Sequence, residues 1–535
     1  MTPFQEFRFW ARRAPAGERA AAAIAGIVVA GLLVFILVPG GGTSSTTVGT
    51  SGGVAAGQGA AADGSATNPA GAGAGSVAAT GLAGQPGART GSGSGATGGS
   101  VSGGGTAGVA PGANGTGPAG SPTAAGAAAT AKCPPQAAGV PGVTATQIKI
   151  AITLTNIVGP AANGLFGVPS TSQQQADYQG IIDSINSTGG VACRKIAAQF
   201  FLANPTDGND LQQKCLDISA AGVFAELDSG SYADRPIIGC FAQHHVPYFG
   251  AYLFAASVQS KFYPYLFNFN TFDSLYHNTI FALKDRGFFA AGDGFKKLGF
   301  VYKSCYPQII GEMTGWLQQA GVPSSAIVTY DLGCPSALAN PSDIQQAVLK
   351  FQQNGVTHVT TADMVADFSN FTTIAQQQGF RPKYGLADDS LIPLNSGSQH
   401  PDFANVANAI AISASRDGED QTPGLTPTPG TARCNAIYQA HGQPPVYQQA
   451  AFAGNACDEL WMFAAAAGHA AVLAPTALVA GLQSAGSVDF SYPQGPNSFA
   501  GNGVTTGGQF WRPTQFMSKC NCWQVIDSTF HPSYP

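Results

Sequence analysis

Residues Gln147–Pro160 read QIKIAITLTNIVGP. The apolar and β-branched residues of Ile148–Leu154 fit the length of one strand, which predicts a buried first strand. A loop from Thr155 to Asn163 follows this strand. Because the ligands of open α/β sheets lie outside the carboxyl ends of the strands, we expect this loop to line a binding site.

The composition limits the classes of protein to consider. Only 10% of the 535 residues are charged, well below the roughly 25% of an ordinary globular domain, and many of the 70 glycines precede residue 130. The net charge of −5 lacks the basic footprint that nucleic-acid binding requires. We therefore expect a small molecule or another protein as the partner, and no nucleic acid.

The N-terminal region is predicted to hold the rest of the chain at a membrane. Residues 1–19 carry four arginines, and Ala20–Val38 is an uncharged apolar run about long enough to cross a bilayer. The arginines favour a cytoplasmic N-terminus. An uncleaved anchor is preferred to a cleaved signal peptide, because Val38-Pro39-Gly40 is a poor cleavage site. We therefore expect a single-pass protein of the cell membrane whose large C-terminal domain is extracytoplasmic.

Residues 39–132 are predicted to form a disordered linker. They consist mainly of Gly, Ala, Ser and Thr and show no hydrophobic period. Such a segment cannot bury enough apolar surface to offset the entropy lost on ordering. The folded domain is therefore expected to span residues 133–535.

The ten cysteines all lie at or after Cys133. An even number beyond a membrane segment predicts disulfide bonds formed in an oxidising compartment. Sequence does not determine their pairing, although Cys193 with Cys215 and Cys305 with Cys334 are close enough in sequence to be candidate pairs. A zinc site at Cys520-Asn521-Cys522 is the weaker alternative, because no second cysteine pair accompanies it.

The first half of the folded domain alternates strands with helices. We predict strands at Ile148–Leu154, Ile196–Leu202, Val223–Leu227 and Tyr248–Ala251, and helices at Ser170–Ser187 and Asn209–Ala221. This βαβαβ order is typical of parallel strands joined by crossover helices.

The same alternation restarts near Thr271. Further strands are predicted at Leu298–Tyr302, Ala326–Tyr330, His358–Thr361, Tyr384–Ala387 and Ala409–Ser413, and further helices at Thr271–Arg286, Pro307–Ala320, Ser342–Asn354 and Val365–Gln378. The predicted order ends with helices at Tyr447–Ala467 and Thr476–Ala485 and a hairpin within Gly508–Ile526. Two such sets in one chain indicate two α/β lobes with a cleft between them.

Several short motifs occur in a familiar order. Tyr178–Val191 reads YQGIIDSINSTGGV, with Gly159-Pro160-Ala161 before it and Asn354–Val359, Gln376–Pro382 and Tyr447–Ala453 after it. This order resembles the type I periplasmic binding proteins of the leucine/isoleucine/valine-binding group, over about residues 143 to 526. The chain departs from that group at Cys193-Arg194, where Gly-Arg is usual, and the cysteine there fits an added disulfide bond.

The resemblance implies two Rossmann-like lobes that close on a solute across a central cleft, joined by about three crossings, without catalysis. Lobe 1 would comprise about residues 143–270 and 415–490, and lobe 2 about residues 271–414 and 491–530. In many relatives the ligand is an amino acid or a similar small polar molecule that is passed to an ABC transporter, whereas other relatives act as sensors.

Candidate ligand-binding residues lie in the loops after the predicted strands. They are Asn156, Ser229, Gly230, Gly250 and Tyr252 in lobe 1, and Tyr306, Asp363, Asp388 and Asp389 in lobe 2. Backbone N–H groups and hydroxyls of the first set can bind a carboxylate, although Ser is also a common helix cap. Asp388 or Asp389 can pair with a ligand ammonium, as the resemblance implies, although Asp is also a normal turn residue.

Asp228 departs from the small neutral residues that the resemblance implies beside Ser229. A carboxylate there would repel an anionic ligand. It would instead bind a sugar-like or cationic ligand, or point away from the cleft.

The chain shows no sequence signature of an enzyme. It contains no GxSxG, HExxH or P-loop motif. His244-His245 is a poor metal site, because adjacent residues of a strand point to opposite faces. We therefore expect no catalysis, cofactor or metal. The two functional hypotheses are a membrane-tethered solute-binding protein that serves an ABC permease, and a surface sensor or partner-binding module with the same fold.

Overall fold

The computed structural model describes residues 133–165, 168–228, 238–250, 253–334, 338–364, 367–390, 400–407, 409–446, 453–492, 495, 497–500 and 506–535. The predicted anchor at 20–38 and the predicted linker at 39–132 lie outside the described residues. Within the described ranges, no helix combines the length and the apolar character that a membrane span requires.

The first sheet contains the four strands predicted in the first half of the domain and a fifth, β5, that was not predicted. Its strands are β1 (Gln147–Thr155), β2 (Lys195–Ala203), β3 (Ala225–Asp228), β4 (Tyr248–Gly250) and β5 (Leu266–Phe267). They lie in the order β2-β1-β3-β4-β5 and are all parallel. The connections carry helices α1 (Pro160–Leu165), α2 (Thr171–Ser187), α3 (Gly208–Ala220), α4 (Ile238–Gln243) and α5 (Ala256–Lys261).

The second sheet follows helix α6 (Phe272–Asp285). Its parallel part alternates strands and helices: β6 (Leu298–Tyr302), α7 (Pro307–Gln319), β7 (Ile327–Asp331), α8 (Pro341–Gln353), β8 (His358–Ala362), α9 (Asp367–Gln377), β9 (Lys383–Ala387) and β10 (Ile410–Ser413). The chain then forms α10 (Pro429–Ala440), α11 (Ala453–Gly468), α12 (Leu478–Ala485), β11 (Ser487–Val488) and β12 (Asn497–Ser498). It ends with β13 (Phe510–Met517), β14 (Cys522–Val525) and β15 (His531–Pro532).

The second sheet is mixed. Its main path has the order β14-β13-β10-β9-β8-β6-β7, and β15 also pairs with β13. Strand β13 is antiparallel to β10, β14 and β15, whereas β6 to β10 pair in parallel. The predicted hairpin at Gly508–Ile526 is confirmed as the pair β13 and β14.

Local signals in the sequence explain where helices begin and end. The Ser170 hydroxyl accepts a hydrogen bond from the N–H of Gln173 at the start of α2, and the Asp207 carboxylate caps α3 in the same way. After α2 the chain turns at Gly190, which has φ +82°, and a Cβ there would come within 2.0 Å of the Arg194 carbonyl oxygen. A residue with a side chain does not fit that turn.

Each sheet is covered by helices on both faces. Ile150 and Ile152 of β1 face a core shared with α2, α11 and α12, whereas Ala151 faces a core shared with α3 and α4. In the second sheet, α8 and α9 pack on one face and α6 and α7 on the other. The prediction that Ile148–Leu154 is a buried strand is therefore confirmed, and the structure shows that both of its faces are covered.

The two sheets organise two lobes. We call the first sheet with α1–α5 and α10–α12 lobe 1, and the second sheet with α6–α9 lobe 2. In the described part of the chain, three stretches lie between them: residues 268–271, residues 414–428, and residues 506–509, which run beside the first stretch. We call residues 414–428 the second crossing.

All ten cysteines form disulfide bonds, as predicted. The pairs are Cys133–Cys193, Cys215–Cys240, Cys305–Cys334, Cys434–Cys457 and Cys520–Cys522. The suggested pair Cys305–Cys334 is confirmed, and the suggested pair of Cys193 with Cys215 is wrong. Cys215 lies on α3 and faces α4, which carries Cys240, whereas Cys193 lies in the turn before β2, where the chain around Cys133 passes. The zinc alternative at Cys520-Asn521-Cys522 is replaced by a disulfide bond.

Candidate functional site

The carboxyl ends of the parallel strands bring the candidate residues to one edge of each sheet. Strands β1, β3 and β4 end at Thr155, Asp228 and Gly250 in lobe 1. In lobe 2, β6 ends at Tyr302, β8 ends immediately before Asp363, and β9 ends immediately before Asp388. These two edges form the candidate site.

The loop after β1 is held by its own side chains. The Asn156 Oδ1 accepts a hydrogen bond of 2.9 Å from the N–H of Gly159. The Asn163 Oδ1 accepts one of 2.7 Å from the N–H of Ile157, and its Nδ2 donates one of 2.9 Å to the carbonyl of Thr155. The predicted site residue Asn156 thus shapes the loop that it belongs to.

Gln174 on α2 supports the same loop and was missed by sequence reasoning. Its Oε1 accepts a hydrogen bond of 2.8 Å from the N–H of Thr155, and its Nε2 donates one of 2.9 Å to the Thr155 carbonyl. The signal was a polar residue that shares a buried helix face with Tyr178 and Ile181, at helical spacing.

Val158 stands out in this loop. Its side chain is 80% exposed and its φ is +104°, a conformation that a β-branched residue rarely adopts. Such strain is found where the surrounding structure holds a residue for a functional reason. Val158 therefore presents an apolar side chain at the edge of lobe 1.

Two acidic groups of β3, Glu226 and Asp228, lie inside lobe 1. The Asp228 Oδ2 accepts a hydrogen bond of 2.7 Å from the Tyr248 hydroxyl, and Glu226 accepts one from the Thr153 hydroxyl. Both carboxyl groups are buried, and burial raises the pKa of Glu226 well above its ordinary value. In the structure, the Asp228 carboxyl group is therefore buried and hydrogen-bonded to a tyrosine.

Gly250 ends β4 at a close approach. A Cβ at this position would lie 2.4 Å from the ring of Tyr248, so no side chain fits while that ring bonds Asp228. The predicted site residues Ser229, Gly230 and Tyr252 lie outside the described residues, and their roles stay predictions.

In lobe 2, Tyr276 of helix α6 joins two predicted site residues. Its hydroxyl donates a hydrogen bond of 2.7 Å to the Asp389 Oδ2 and accepts one of 2.8 Å from the N–H of Asp363. Burial raises the pKa of Tyr276 well above its ordinary value, with Asp389 and Asp363 adding to the rise, so the hydroxyl keeps its proton. Tyr276 was missed from the sequence because it precedes these strands on a helix.

Asp363 has a left-handed backbone conformation, with φ +55°. Asp tolerates this region better than most residues, but it remains uncommon outside glycine. Strained residues cluster at binding sites. The left-handed backbone conformation and the hydrogen bond to Tyr276 together fix the position of Asp363 at the lobe 2 edge.

Lys303, directly after β6, forms a buried ion pair. Its Nζ lies 2.7 Å from the Asp367 Oδ2 at the start of α9, and the Asp367 Oδ1 accepts a hydrogen bond of 2.9 Å from the N–H of Ala339. The pair therefore ties together the chain after β6, β7 and β8. Lys303 was not among the predicted site residues.

Two other predicted site residues are engaged with protein groups. The Tyr306 ring packs on Phe272, with their centroids 5.5 Å apart. The Asp388 Oδ2 accepts hydrogen bonds from the N–H groups of Ala414 (2.8 Å) and Ser415 (2.7 Å), at the start of the second crossing. Their contact with a ligand stays a prediction.

The histidine pair lies in a turn and not in a strand, and His245 has φ +59°. The His245 Nδ1 forms a hydrogen bond of 2.8 Å with the Tyr265 hydroxyl. Over the part of the chain that the structure describes, no group of three His, Cys, Asp or Glu side chains is arranged to hold a metal ion.

No protein-family model matches the sequence, and a search of curated proteins finds no significant match. Solved structures do match. A solute-binding protein of an ABC transporter from Rhodopseudomonas palustris BisB5, in complex with 3,4-dihydroxy benzoic acid, is 14% identical with a TM-score of 0.54, over 73% of this chain and 98% of that one. A periplasmic binding protein type 1 from Bordetella pertussis Tohama I is 15% identical with a TM-score of 0.53, over 72% and 99%.

An ABC transporter substrate-binding protein from Desulfitobacterium hafniense, in complex with Leu, is 15% identical with a TM-score of 0.51, over 71% of this chain and 100% of that one. Similarity at these identities shows a shared fold. The described part of the chain therefore has the two-lobed α/β fold of the type I periplasmic binding proteins, which confirms the fold expected from its sequence motifs.

Proposed function

We propose that the chain is an extracytoplasmic solute-binding protein that captures a small polar, amino-acid-like ligand between its lobes. The segment Ala20–Val38 holds it at the cell membrane, and residues 39–132 let the folded domain reach outward. Closure of the lobes about their connecting segments buries the ligand, whose contacts with both lobes stabilise the closed form. The closed form then delivers the ligand to an ABC permease.

The observation that carries this proposal is the pairing of two sheets of the same design. Each has parallel strands whose carboxyl ends carry polar loops, and three described stretches lie between the lobes. Ligands of α/β sheets bind at such edges. Proteins of the same fold are named as solute-binding proteins of ABC transporters, one in complex with Leu, which supports binding without catalysis.

The lobe 2 edge supports a ligand with an amine or with hydroxyl groups. The Tyr276 hydroxyl bonds the Asp389 carboxylate and the backbone N–H of Asp363, which brings two acidic residues to this edge, and the nearby cation Lys303 is paired with Asp367. A charge-assisted hydrogen bond from a ligand ammonium to Asp389 would be among the stronger contacts available. In lobe 1 we propose Asn156, Ser229, Gly230 and Gly250 as the facing wall, with Tyr252 beside them.

The lobe 1 edge supports an apolar part of the ligand as well. Val158 is held in a strained conformation with its side chain exposed. Closing the lobes on an apolar group would remove that side chain from water, which is favourable. A ligand with an ammonium and a small apolar body, such as a branched amino acid, satisfies both edges.

A thermal-shift screen of the full chain tests the proposal. The panel contains branched and cationic amino acids, simple amines, sugars and hydroxybenzoates. A ligand that binds only the folded state at 100 times its Kd adds about 2.7 kcal/mol of stability, so a true ligand raises Tm with concentration. No shift with any compound at millimolar concentration would contradict solute capture and favour the sensor or partner-binding alternative.

A further inference from the structure

A chain of buried carboxyl groups connects the two lobes through the second crossing. It starts in lobe 2 at Asp388, directly after β9. The Asp388 Oδ2 accepts hydrogen bonds from the N–H groups of Ala414 and Ser415 and, at 3.3 Å, from the Ser413 hydroxyl. Lobe 2 thereby holds the first residues of the crossing.

Asp417 continues the chain inside the crossing. Its Oδ2 accepts a hydrogen bond of 2.9 Å from the Ser415 hydroxyl and one of 3.3 Å from the Tyr492 hydroxyl. Tyr492 belongs to the loop between β11 and β12, and the flanking Phe490 and Phe499 are buried in the core of lobe 1. Asp417 therefore bonds the crossing to lobe 1.

Asp458 of helix α11 completes the chain. Its Oδ1 accepts a hydrogen bond of 2.6 Å from the N–H of Ser491, and its Oδ2 accepts one of 2.8 Å from the N–H of Tyr492. Asp458 is fully buried and thereby fixes the loop that carries Tyr492 to the core of lobe 1. The path from lobe 2 to lobe 1 thus runs through three carboxyl groups.

Other charged groups surround this path from every element that packs against it. They are Arg416, Glu419 and Asp420 of the second crossing, Arg433 of α10, Glu459 of α11, Asp489 of the β11–β12 loop and Arg512 of β13. Arg416 donates to the Thr431 hydroxyl at 2.9 Å and lies 3.7 Å from the Asp489 carboxylate, and Arg512 pairs with Glu419. Hydroxyl groups donate to Asp417, and backbone N–H groups donate to Asp458.

We infer that Asp417 and Asp458 are positioning residues of the hinge, and that their charge state sets how the second crossing is held to lobe 1. This inference rests on the proposed function, because it gives the crossing the role of a hinge between closing lobes. A hydrated Asp417 carboxyl group binds its proton less tightly than the buried carboxyl group does. Linkage then requires that loss of the proton shift the population toward the more hydrated hinge.

The protonation change falls near neutral pH. Burial raises the pKa of Asp417 to about 7, and the neighbouring Asp388 carboxylate adds to the rise. Burial likewise raises the pKa of Asp458 to about 7. A hinge with these two groups responds to the pH outside the cell membrane, where the proposed function places the domain.

Interlobe distances measured in the full chain without ligand test the inference. Spin labels are attached through non-natural residues at the exposed positions Gln212 of α3 and Gln319 of α7, which leaves the disulfide bonds intact. The wild-type distance distribution is expected to shift or broaden between about pH 6 and about pH 8, and Asp417→Asn is expected to lose that change. Tyr492→Phe, which keeps the carboxyl group and removes its bond to lobe 1, is expected to resemble the high-pH form at both values.

Asp183→Asn is the control. Asp183 is exposed on α2, outside the second crossing, and accepts a hydrogen bond from Gln179, so this variant makes the same charge change and should keep the pH response. A wild-type distribution that is the same at both pH values, or a response retained in Asp417→Asn, would overturn the inference. Those outcomes would not change the result of the ligand screen. If instead the screen failed and the hinge responded to pH, only the proposal of solute capture would be contradicted.

Discussion

At the scale of single residues, Asp389 is the group on which ligand recognition in lobe 2 is proposed to depend. Its Oδ2 accepts the Tyr276 hydroxyl, which leaves the carboxylate oriented by a tyrosine that keeps its proton. Asp389→Asn removes the charge and keeps the shape. Because hydrogen bonds to charged groups contribute about 1.5–3 kcal/mol, we expect affinity for an amine ligand from the screen to fall roughly 10- to 100-fold.

Calorimetric titration measures this loss. Asp343→Asn makes the same charge change at a half-exposed position in the first turn of α8 and should leave the affinity unchanged. If the two variants bind equally well, Asp389 does not contact the ligand.

The Lys303–Asp367 pair makes a prediction about stability. Both groups are buried, so Lys303→Met leaves a buried carboxylate without its cation, a change that costs about 3–5 kcal/mol in buried pairs. The double variant Lys303→Met with Asp367→Leu should recover part of this loss. Recovery is partial because Asp367 also accepts the N–H of Ala339.

Denaturant unfolding measures these differences. Lys214→Met is the control, since Lys214 forms half-exposed surface pairs with Asp210 and Asp217 and should cost less than about 1 kcal/mol. Equal effects at Lys303 and Lys214 would show that the buried pair does not stabilise the fold.

At the scale of elements, the disulfide bonds differ in how much chain they constrain. Cys133–Cys193 spans 60 residues and ties the start of the domain to the turn before β2, whereas Cys520–Cys522 spans 2. Loop-closure entropy predicts that replacing both Cys133 and Cys193 by Ser lowers the free energy of unfolding by about 4 kcal/mol. The same change at Cys520 and Cys522 should cost far less, because so short a loop barely restricts the unfolded chain.

Unfolding curves of the two double variants give the comparison directly. Similar losses from both would mean that strain or local packing, rather than loop length, governs the contribution of these bonds.

At the scale of the whole molecule, buried carboxyl groups determine how stability depends on pH. Asp417 and Asp458 each have a folded-state pKa of about 7, above the ordinary value of 3.8. Between about pH 4 and about pH 7 the folded chain therefore holds protons that the unfolded chain has lost, and stability falls as pH rises. Each group contributes a slope of about 1.4 kcal/mol per pH unit in this window.

Asp417→Asn should reduce the slope of the unfolding free energy against pH by the contribution of one carboxyl group. Denaturant unfolding at several pH values measures this slope. Burial lowers the pKa of His277 and His358, which opposes the trend near pH 6, but the variant leaves both histidines in place. The difference between the variant and the wild type therefore isolates Asp417. Parallel curves would show that Asp417 titrates normally in the folded state.

The elements themselves follow from short-range signals. The apolar run of β1, the cap at Ser170 and the glycine turn at Gly190 each act within a few residues, and the described strands and helices lie within about two residues of most predicted boundaries. The paired α/β sets were likewise visible as a repeated alternation, because parallel strands require crossover helices. Fold class could therefore be predicted before any contact was known.

The candidate site could be predicted only in part. Carboxyl ends of strands pointed to Asp363 and Asp389, but their link, Tyr276, lies 87 and 113 residues away in sequence. Helix periodicity marks Tyr276 as buried without indicating its partner.

Periodicity, caps and turn residues thus specify strands, helices and the two-lobed plan, because each acts between near neighbours in the chain. Which cysteines pair, which carboxyl groups become buried and which of them connect the lobes depend on contacts between distant segments. Asp417 and Tyr492, 75 residues apart, meet only because the crossing and the β11–β12 loop pack together. Burial at that meeting point, absent from any local pattern, is what raises the pKa of Asp417.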